Sequence, residues 1–337
     1  MQRFTVPILL AALFAGLIGM SQGGMIDLYI QSVIMFMGIN IILSSSLNIV
    51  NGYMGEFSCG HAGFMAVGAY VSSLLSVWLL TDDRVFGPAV LSPELALVIF
   101  PFCLLGGAVA AALAGLLVAI PSFKTRDDYL AIITIASLYI IKSTIENISA
   151  IGGPRGFMGM RSVVVFMEDV IELPWMMIWI FICTVFTVWI IRRFVSSTYG
   201  KGIIAIRQDE VAAEIMSVNT NKMKVVAFML SSGLAGLAGG LFAHVLGYVN
   251  PGAFGILKTT EIMVMVYLGG MGSLTGSVLS AVLFTVLMEA MRPLQIIKWV
   301  IVPLMLIILM HFRPEGIMGN RELSDIFPRL RRWFQFK

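Results

Sequence analysis

A succession of long apolar stretches constrains this chain more than any other feature of its sequence. A helix needs about 20 mostly apolar residues to cross the hydrocarbon core of a bilayer. Only 12% of the residues are charged, whereas soluble domains carry about 25%. The candidate spans are residues 5–20, 27–47, 61–80, 96–120, 129–148, 173–194, 223–246, 253–270, 274–291 and 295–312. We therefore predict an all-α fold, a polytopic transmembrane helical bundle of about ten spans, with residues 1–337 as a single domain.

The placement of basic residues predicts the topology of this bundle. Lys and Arg concentrate in the connection 192–224 and in the tail 312–337, while loops 81–95 and 149–172 hold few of them. Because cytoplasmic loops are enriched in Lys and Arg, we expect both termini, the polar loop 195–222 and the basic tail 313–337 to be cytoplasmic. Arg292 and Lys298 flank a turn that this topology places outside, so nine spans are the alternative. The N-terminal stretch resembles a signal peptide, and we expect it to be retained as a membrane anchor.

No catalytic or metal-binding motif is found in the sequence. There is no phosphate-binding loop, no H-E-x-x-H, no C-x-x-C and no nucleic-acid-binding pattern. Acidic residues are also scarce within the predicted spans, where ion-coupled transporters usually keep them. Glu146, Glu261 and Glu289 lie near predicted span ends, and Arg292 is placed to pair with Glu289. We therefore predict no catalytic residue, no metal and no bound cofactor, and we expect the energy for any transport to come from another protein.

The first half of the segment Thr198–Gly240 is the longest charged part of this apolar chain, and its second half is an apolar stretch rich in small residues. Residues 207–216 have high helix propensity, and their acidic residues begin near the start of the predicted helix, where they interact favourably with the helix dipole. Ile206, Val211 and Ile215 recur at roughly helical spacing and predict one apolar stripe. Two interpretations stay open. The segment is either a solvated connector resting on its own bundle, or a helix that docks into a groove on an ATP-hydrolysing partner.

Small residues are concentrated where close helix packing, or the lining of a translocation path, would need them. The glycine-rich runs Asn51–Phe64 and Gly269–Ser277 are similar to each other, which is consistent with either an internal repeat or chance. The run 269–276 also separates the eighth and ninth predicted spans, because glycines break a helix. The candidate residues for packing or the path are Gly55, Gly60, Ser231, Ser232, Gly236, Gly240, Gly270 and Gly272.

Several stretches resemble the Liv-type membrane permeases of ABC importers for branched-chain amino acids. The polar segment followed by NKMKVVAFMLSSGLAGLAGGLFAHVLGYVNP is similar to the family, and the pattern is closer to its M-type than to its H-type permease. The other matching stretches are Ser46–Tyr70, Thr125–Ala136, Ile151–Met160, Glu261–Gly276 and Phe312–Gly319. Together they follow the family order from about Ser46 to Gly319.

The resemblance implies a type II-like ABC importer permease that forms half of a translocation path. Its partners would be a second, H-like permease, two ABC ATPase subunits with ATP-Mg, an extracytoplasmic solute-binding protein and the lipid of a bacterial-type inner membrane. Branched-chain amino acids are the implied substrates. Urea, amides or other amino acids are the alternative cargo, and a stand-alone channel or secondary transporter is the alternative function. Arg155, in the exterior turn 152–156, is the candidate contact for the binding protein, with a plain solvated loop as the other interpretation.

The resemblance also implies which residues couple the permease to the ATPases. The family motif is similar to Glu-Ala-Ala followed by a glycine, and here Val211 replaces its Glu and Ser217 its Gly. We expect this departure to alter how the helix ends, with Asn219 taking the left-handed conformation. The candidate coupling residues are Arg207, Asp209, Glu210, Val211, Ala212, Ala213, Glu214 and Ser217.

Overall fold

The computed structural model describes residues 14, 16–24, 26–82, 87–123, 129–312, 315–319 and 322. Apart from one short strand pair, the regular elements are helices, so the all-α prediction is confirmed. The helices are α1 (Leu28–Asn48), α2 (His61–Leu80), α3 (Ala96–Ser122), α4 (Tyr129–Asn147), α5 (Met160–Val170), α6 (Trp175–Ser196), α7 (Thr198–Gln208), α8 (Glu210–Ile215), α9 (Thr220–Leu246), α10 (Ile256–Gly269), α11 (Leu274–Ala290) and α12 (Lys298–Phe312). A π-helical segment, Ile49–Met54, continues α1.

Seven helices in the described part of the chain are long and apolar enough to cross a membrane. They match the predicted spans from 27–47 to 253–270. The last of these contains the charged residues Lys258 and Glu261. The spans predicted at 274–291 and 295–312 are the shorter helices α11, with 17 residues, and α12, with 15. Most of the span predicted at 5–20 and most of the tail 313–337 lie outside the described residues. About ten spans is therefore an approximate count, and the chain is a multi-pass membrane protein.

Charged residues near the span ends are paired with one another. Lys258 Nζ lies 2.9 Å from Glu261 Oε2 within α10, and both side chains are mostly buried. Arg292 lies 3.4 Å from Glu289, which confirms the pairing expected from their spacing. A helix that carries both partners of an ion pair exposes less net charge to lipid, and this explains why the Lys258–Glu261 pair does not interrupt α10.

Helices α2, α3 and α9 pack together at the centre of the bundle. They meet at glycines: a Cβ atom on Gly68 of α2 would overlap the Cα and carbonyl group of Gly236 in α9. A Cβ on Gly107 of α3 would lie 2.6 Å from the carbonyl oxygen of Gly68. Association of helices in lipid depends on such close backbone approach, because the hydrophobic effect gives little driving force there.

Helix α9 defines two ends of the molecule. Its 27 residues span about 40 Å at 1.5 Å per residue. We call the end where α9 begins, next to α8, the α8 end. At the opposite end, α9 leads into β2 (Tyr248–Val249), which pairs antiparallel with β1 (Phe157–Met158), and we call this the β end.

Candidate coupling site

Helix α8 is a short helix with its own caps. Asp209 separates it from α7, and the Asp209 Oδ1 atom accepts a hydrogen bond from the backbone N–H of Ala212 at 2.9 Å. An aspartate at this position satisfies a free N–H group and interacts favourably with the helix dipole. Ala213 faces inward and is buried, while Ala212 is exposed. The coupling segment predicted from the sequence is therefore two helices with a break at Asp209.

Apolar side chains of α8 face away from the protein. Val211 is 67% exposed, Ile215 77% and Met216 78%. Ile206 lies in α7 and is buried at 5% exposure. The prediction of a single stripe through Ile206, Val211 and Ile215 is wrong, because the chain turns at Asp209 and the helical period does not continue across the break. Val211, Ile215 and Met216 form what we call the α8 apolar face.

The acidic residues of α8 contact the chain itself. Glu210 lies 2.8 Å from Lys224 Nζ, and Glu214 Oε1 accepts a hydrogen bond from the Thr220 hydroxyl at 2.9 Å. Both partners belong to the start of α9. These contacts hold α8 against the first turns of α9, so displacement of one helix is resisted by the other.

Ser217 ends α8 in the left-handed conformation, with φ of 63°. Val218 N–H bonds to the Ala213 carbonyl and Ser217 N–H to the Glu214 carbonyl, which is the Schellman pattern of helix ends. Glycine usually takes this position because it has no Cβ. The expectation that Asn219 adopts the left-handed conformation is wrong: Asn219 has φ of −79° and its side chain caps α9. Thus Ser217 keeps the helix end that the family glycine would form.

A Ser217→Gly variant should stabilise α8. The left-handed conformation costs a non-glycine residue roughly 1–2 kcal/mol, and the greater chain entropy of glycine offsets part of that gain. We expect hydrogen–deuterium exchange of the α8 amides to slow about threefold in this variant. Ser217→Val is the control and should speed exchange, since a β-branched residue is disfavoured in this conformation. Equal exchange rates in the two variants would contradict the assignment of backbone strain to Ser217.

Lys224 connects α8 to the connection between α1 and α2, residues 49–60, which we call the glycine-rich turn. Its Nζ atom lies 2.7 Å from Glu56 Oε1 and 2.8 Å from Glu210 Oε1. Gly55, next to Glu56, has φ of 79°, and a Cβ there would lie 2.7 Å from the Cγ atom of Arg207. The turn thus contacts both the helix before α8 and, through Lys224, α8 itself. Gly55 and Arg207 are among the candidate residues predicted from the sequence, whereas Lys224 and Glu56 are not.

The two similar glycine-rich runs lie against each other at the α8 end. Asn48 is fully buried, and its side chain accepts a hydrogen bond from Gly272 N–H and donates to the Ser273 carbonyl and the Ser277 hydroxyl. Gly270 and Gly272 both have positive φ, and Gly270 faces the carbonyl of Gly319. The α10–α11 turn is therefore packed between the end of α1 and the C-terminal segment.

Glu322 places a carboxylate at the start of α11. Its oxygens accept hydrogen bonds from Leu274 N–H at 2.8 Å and from the Thr275 hydroxyl at 2.7 Å, and Tyr53 of the π-helical segment also donates to it. Burial raises the pKa of this carboxyl above its usual value, and the hydrogen bonds to the carboxylate oppose that rise. The sequence around Glu322 indicates only a basic tail, because nothing local distinguishes this residue.

Small residues named from the sequence lie in contacts between helices. Each is buried and lies directly against a residue of another segment, and at the three glycines an added Cβ would meet that neighbour. The contacts are Gly60 with Thr134, Ser231 with Ser46, Ser232 with Gly115, Gly236 with Ala111, and Gly240 with Ser72. Close packing accounts for these positions, and a role in lining a path stays a prediction.

Arg155 lies at the β end, away from α8. It is exposed on the 3₁₀ turn Gly153–Arg155, and its carbonyl oxygen accepts a hydrogen bond from the Tyr248 hydroxyl. The adjoining β1–β2 pair holds this turn against the end of α9. In the part of the chain that the structure describes, no group of three His, Cys, Asp or Glu residues is placed to hold a metal ion. The three cysteines are free and buried.

Comparison with known proteins places this architecture in a family. The family described as branched-chain amino acid transport system / permease component matches residues 29–311. LivM of Salmonella typhimurium, a high-affinity branched-chain amino acid transport system permease protein, is 30% identical over 305 residues, covering 83% of this chain and 68% of LivM. A probable LivM of Methanocaldococcus jannaschii is 22% identical over 331 residues, covering 88% of this chain and 95% of that protein.

A weaker match involves the companion permease of the same transport system. LivH of Salmonella typhimurium is 26% identical over 133 residues, covering 39% of this chain and 42% of LivH. No solved structure matches the chain. The broader and closer match to LivM confirms the M-type resemblance inferred from the sequence. The chain therefore belongs to the permease family of branched-chain amino acid transport systems, and it is a LivM-like ABC permease subunit.

Proposed function

We propose that this chain is the permease subunit of an ATP-driven importer, and that α8 docks into a groove on an ABC ATPase. The observation that carries the proposal is the α8 apolar face, formed by Val211, Ile215 and Met216. An exposed amphipathic helix fits the mode in which a helix lays its apolar side chains into a groove. The polar sequence on both sides of α8 supports its placement in the aqueous phase beside the membrane rather than in lipid.

Apolar contact, more than charge, is the basis of the proposed docking. Glu210 and Glu214 are engaged by Lys224 and Thr220, and Asp209 caps α8. Their first role is to build and position the helix. Burial of an Ile or Met side chain contributes about 1.5–3 kcal/mol. We therefore expect Ile215 and Met216 to contribute more binding energy than the acidic residues of α8.

We further propose a partner for each of the two ends of the molecule. The α8 end faces the cytoplasm and two ATPase subunits, which hold ATP-Mg, while the chain binds no cofactor itself. The β end, with Arg155, faces an extracytoplasmic solute-binding protein. A second, H-like permease completes the path, which the similarity to both LivM and LivH supports. Both termini are cytoplasmic, and the membrane is a bacterial-type inner membrane.

Branched-chain amino acids are the proposed substrates, delivered by the binding protein to a path of which this chain forms half. The similarity to LivM proteins of branched-chain amino acid transport systems supports this substrate class. Urea, amides or other amino acids are the alternative cargo. A ligand-binding measurement on the cognate binding protein distinguishes these substrates, because the binding protein delivers the solute.

The docking proposal is tested with an Ile215→Ser, Met216→Ser double variant of the complete transporter. We expect the amount of ATPase that co-purifies to fall about tenfold or more, because loss of about 1.4 kcal/mol of binding energy is a tenfold change. Met158→Ser is the matched control, since Met158 is 69% exposed but lies at the β end. The control variant should retain the ATPases.

Full retention of the ATPases by the double variant would overturn the docking assignment. Flux of solute through liposomes that contain only this chain would overturn the ATP-driven mechanism and favour a stand-alone channel or secondary transporter. In that measurement the proposal predicts no flux without ATPases and ATP.

A further inference from the structure

A single buried ammonium group joins three separate segments at the α8 end. Lys224 lies in the second turn of α9, and its side chain is 9% exposed. Its Nζ atom contacts Glu56, whose side chain is 23% exposed, and Glu210, whose side chain is 47% exposed. The three segments are the glycine-rich turn, the docking helix α8 and the spanning helix α9.

The contacts of Lys224 are short enough to transmit displacement. Both N–O distances are below 3 Å, and charge-assisted hydrogen bonds of this length are the strong ones. Lys224 is nearly buried, so solvent screens its pairs less than it screens exposed ion pairs. Movement of Glu210 with α8 therefore moves the ammonium group, and with it the carboxylate of Glu56.

The glycine-rich turn passes displacement further into the bundle. It begins with the π-helical segment Ile49–Met54, and single π-helical turns occur often at functional sites. Asn48, directly before this segment, is bonded to Gly272 in the α10–α11 turn. Glu56 is therefore connected through one short segment to the ends of α1, α10 and α11.

We propose that Lys224 is a positioning residue that couples movement of α8 to the glycine-rich turn, so that ATPase movement reaches the translocation path. This inference rests on the proposed docking of α8. Lys224 does not contact substrate or nucleotide in this mechanism. It acts by holding Glu56 and Glu210 to one point, and the turn follows the docking helix because of that link.

The test separates coupling from folding. Removal of Lys224 alone would leave two carboxylates without their partner, which destabilises a protein. The double variant Lys224→Met, Glu56→Gln removes the ammonium group together with the more buried of its two carboxylates, while Glu210 is 47% exposed and stays hydrated. Neutral replacement of a buried ion pair is often tolerated. We expect the complete transporter in proteoliposomes to hydrolyse ATP within about twofold of the wild-type rate, while solute transported per ATP falls about tenfold.

Two variants serve as controls. Lys224→Arg keeps a cation that is able to hold both carboxylates and should restore transport per ATP to near the wild-type ratio. Lys222→Met removes an exposed cation in the first turn of the same helix and should leave the ratio unchanged.

Glu56→Gln alone is a second test variant. It keeps the Lys224–Glu210 pair, and transport per ATP should also fall in it.

Wild-type transport per ATP in both the double variant and Glu56→Gln would overturn the role of Lys224. Failure of the wild-type chain to bind the ATPases through α8 would instead overturn the proposed function, because that result is independent of Lys224. Co-purification of the ATPases is therefore measured for every variant. The inference predicts that it stays near the wild-type level, because the Thr220–Glu214 hydrogen bond still holds α8 against α9.

Discussion

Replacing Gly68 with alanine should greatly reduce the amount of folded permease in the membrane. The added Cβ atom would overlap the Cα and carbonyl group of Gly236, and backbone atoms are unable to move aside as a flexible side chain does. On its other side Gly68 is held by α3, because its carbonyl oxygen faces Gly107. Helix α2 is therefore confined between α3 and α9 at this point.

The expected cost of Gly68→Ala is at the upper end of the range for overpacking. Extra methyl groups in well-packed cores cost about 1–3 kcal/mol and occasionally more. We expect a large loss of yield and a lower midpoint of thermal unfolding for the purified permease. Gly19→Ala is the matched control, since a Cβ at Gly19 meets no atom within 4 Å. Equal yield and thermal midpoint for the two variants would show that the backbones of α2 and α9 separate at little cost.

The sequence predicted the spans well because their signal is local. A run of apolar residues of spanning length identifies a helix without knowledge of its neighbours. The same composition does not reveal which glycines meet. Gly236 was identified from a run of small residues in α9, whereas its partner Gly68 lies in α2 and has no distinguishing neighbours. The pairing depends on how α2, α3 and α9 assemble.

The break at Asp209 within the predicted coupling segment was not predicted from the sequence. Asp209 followed by a glutamate is a normal start of a helix, whereas the apolar spacing of Ile206, Val211 and Ile215 predicts one continuous helical period across it. The break at Asp209 turns Ile206 inward and leaves Val211 exposed. In so short a segment, a capping residue therefore predicts the start of a helix better than apolar spacing does.

Long-range charge pairing was beyond sequence reasoning. Lys224 lies in α9 and Glu56 in the glycine-rich turn, and each has other charged residues nearer in the sequence. The contacts of Glu322 are likewise not predictable from the sequence, because its partners Tyr53 and Leu274 are distant in the chain. The two glycine-rich runs are similar in sequence and also contact each other, but sequence similarity indicates a repeat and does not by itself predict a contact.

Replacing Asn48 with leucine should strongly destabilise the junction between α1 and the α10–α11 turn. Asn48 is fully buried and makes three hydrogen bonds to Gly272, Ser273 and Ser277. A buried polar group left without a partner costs about 1–3 kcal/mol, and leucine leaves the Gly272 N–H without this acceptor. We therefore expect a loss of about 2 kcal/mol or more, measured as a lower midpoint of thermal unfolding.

Asn40→Leu is the matched control for Asn48→Leu. Asn40 lies in the same helix and also contacts α11, but it makes one side-chain hydrogen bond, to Thr285, and is only partly buried. Asn48→Asp separates polarity from size, because aspartate keeps the acceptor for Gly272 but loses both donated bonds and buries a charge. It should therefore destabilise the protein at least as much as leucine does. If Asn48→Asp matches the wild type, the donated bonds to Ser273 and Ser277 contribute little, and the turn is held chiefly by packing between its glycines.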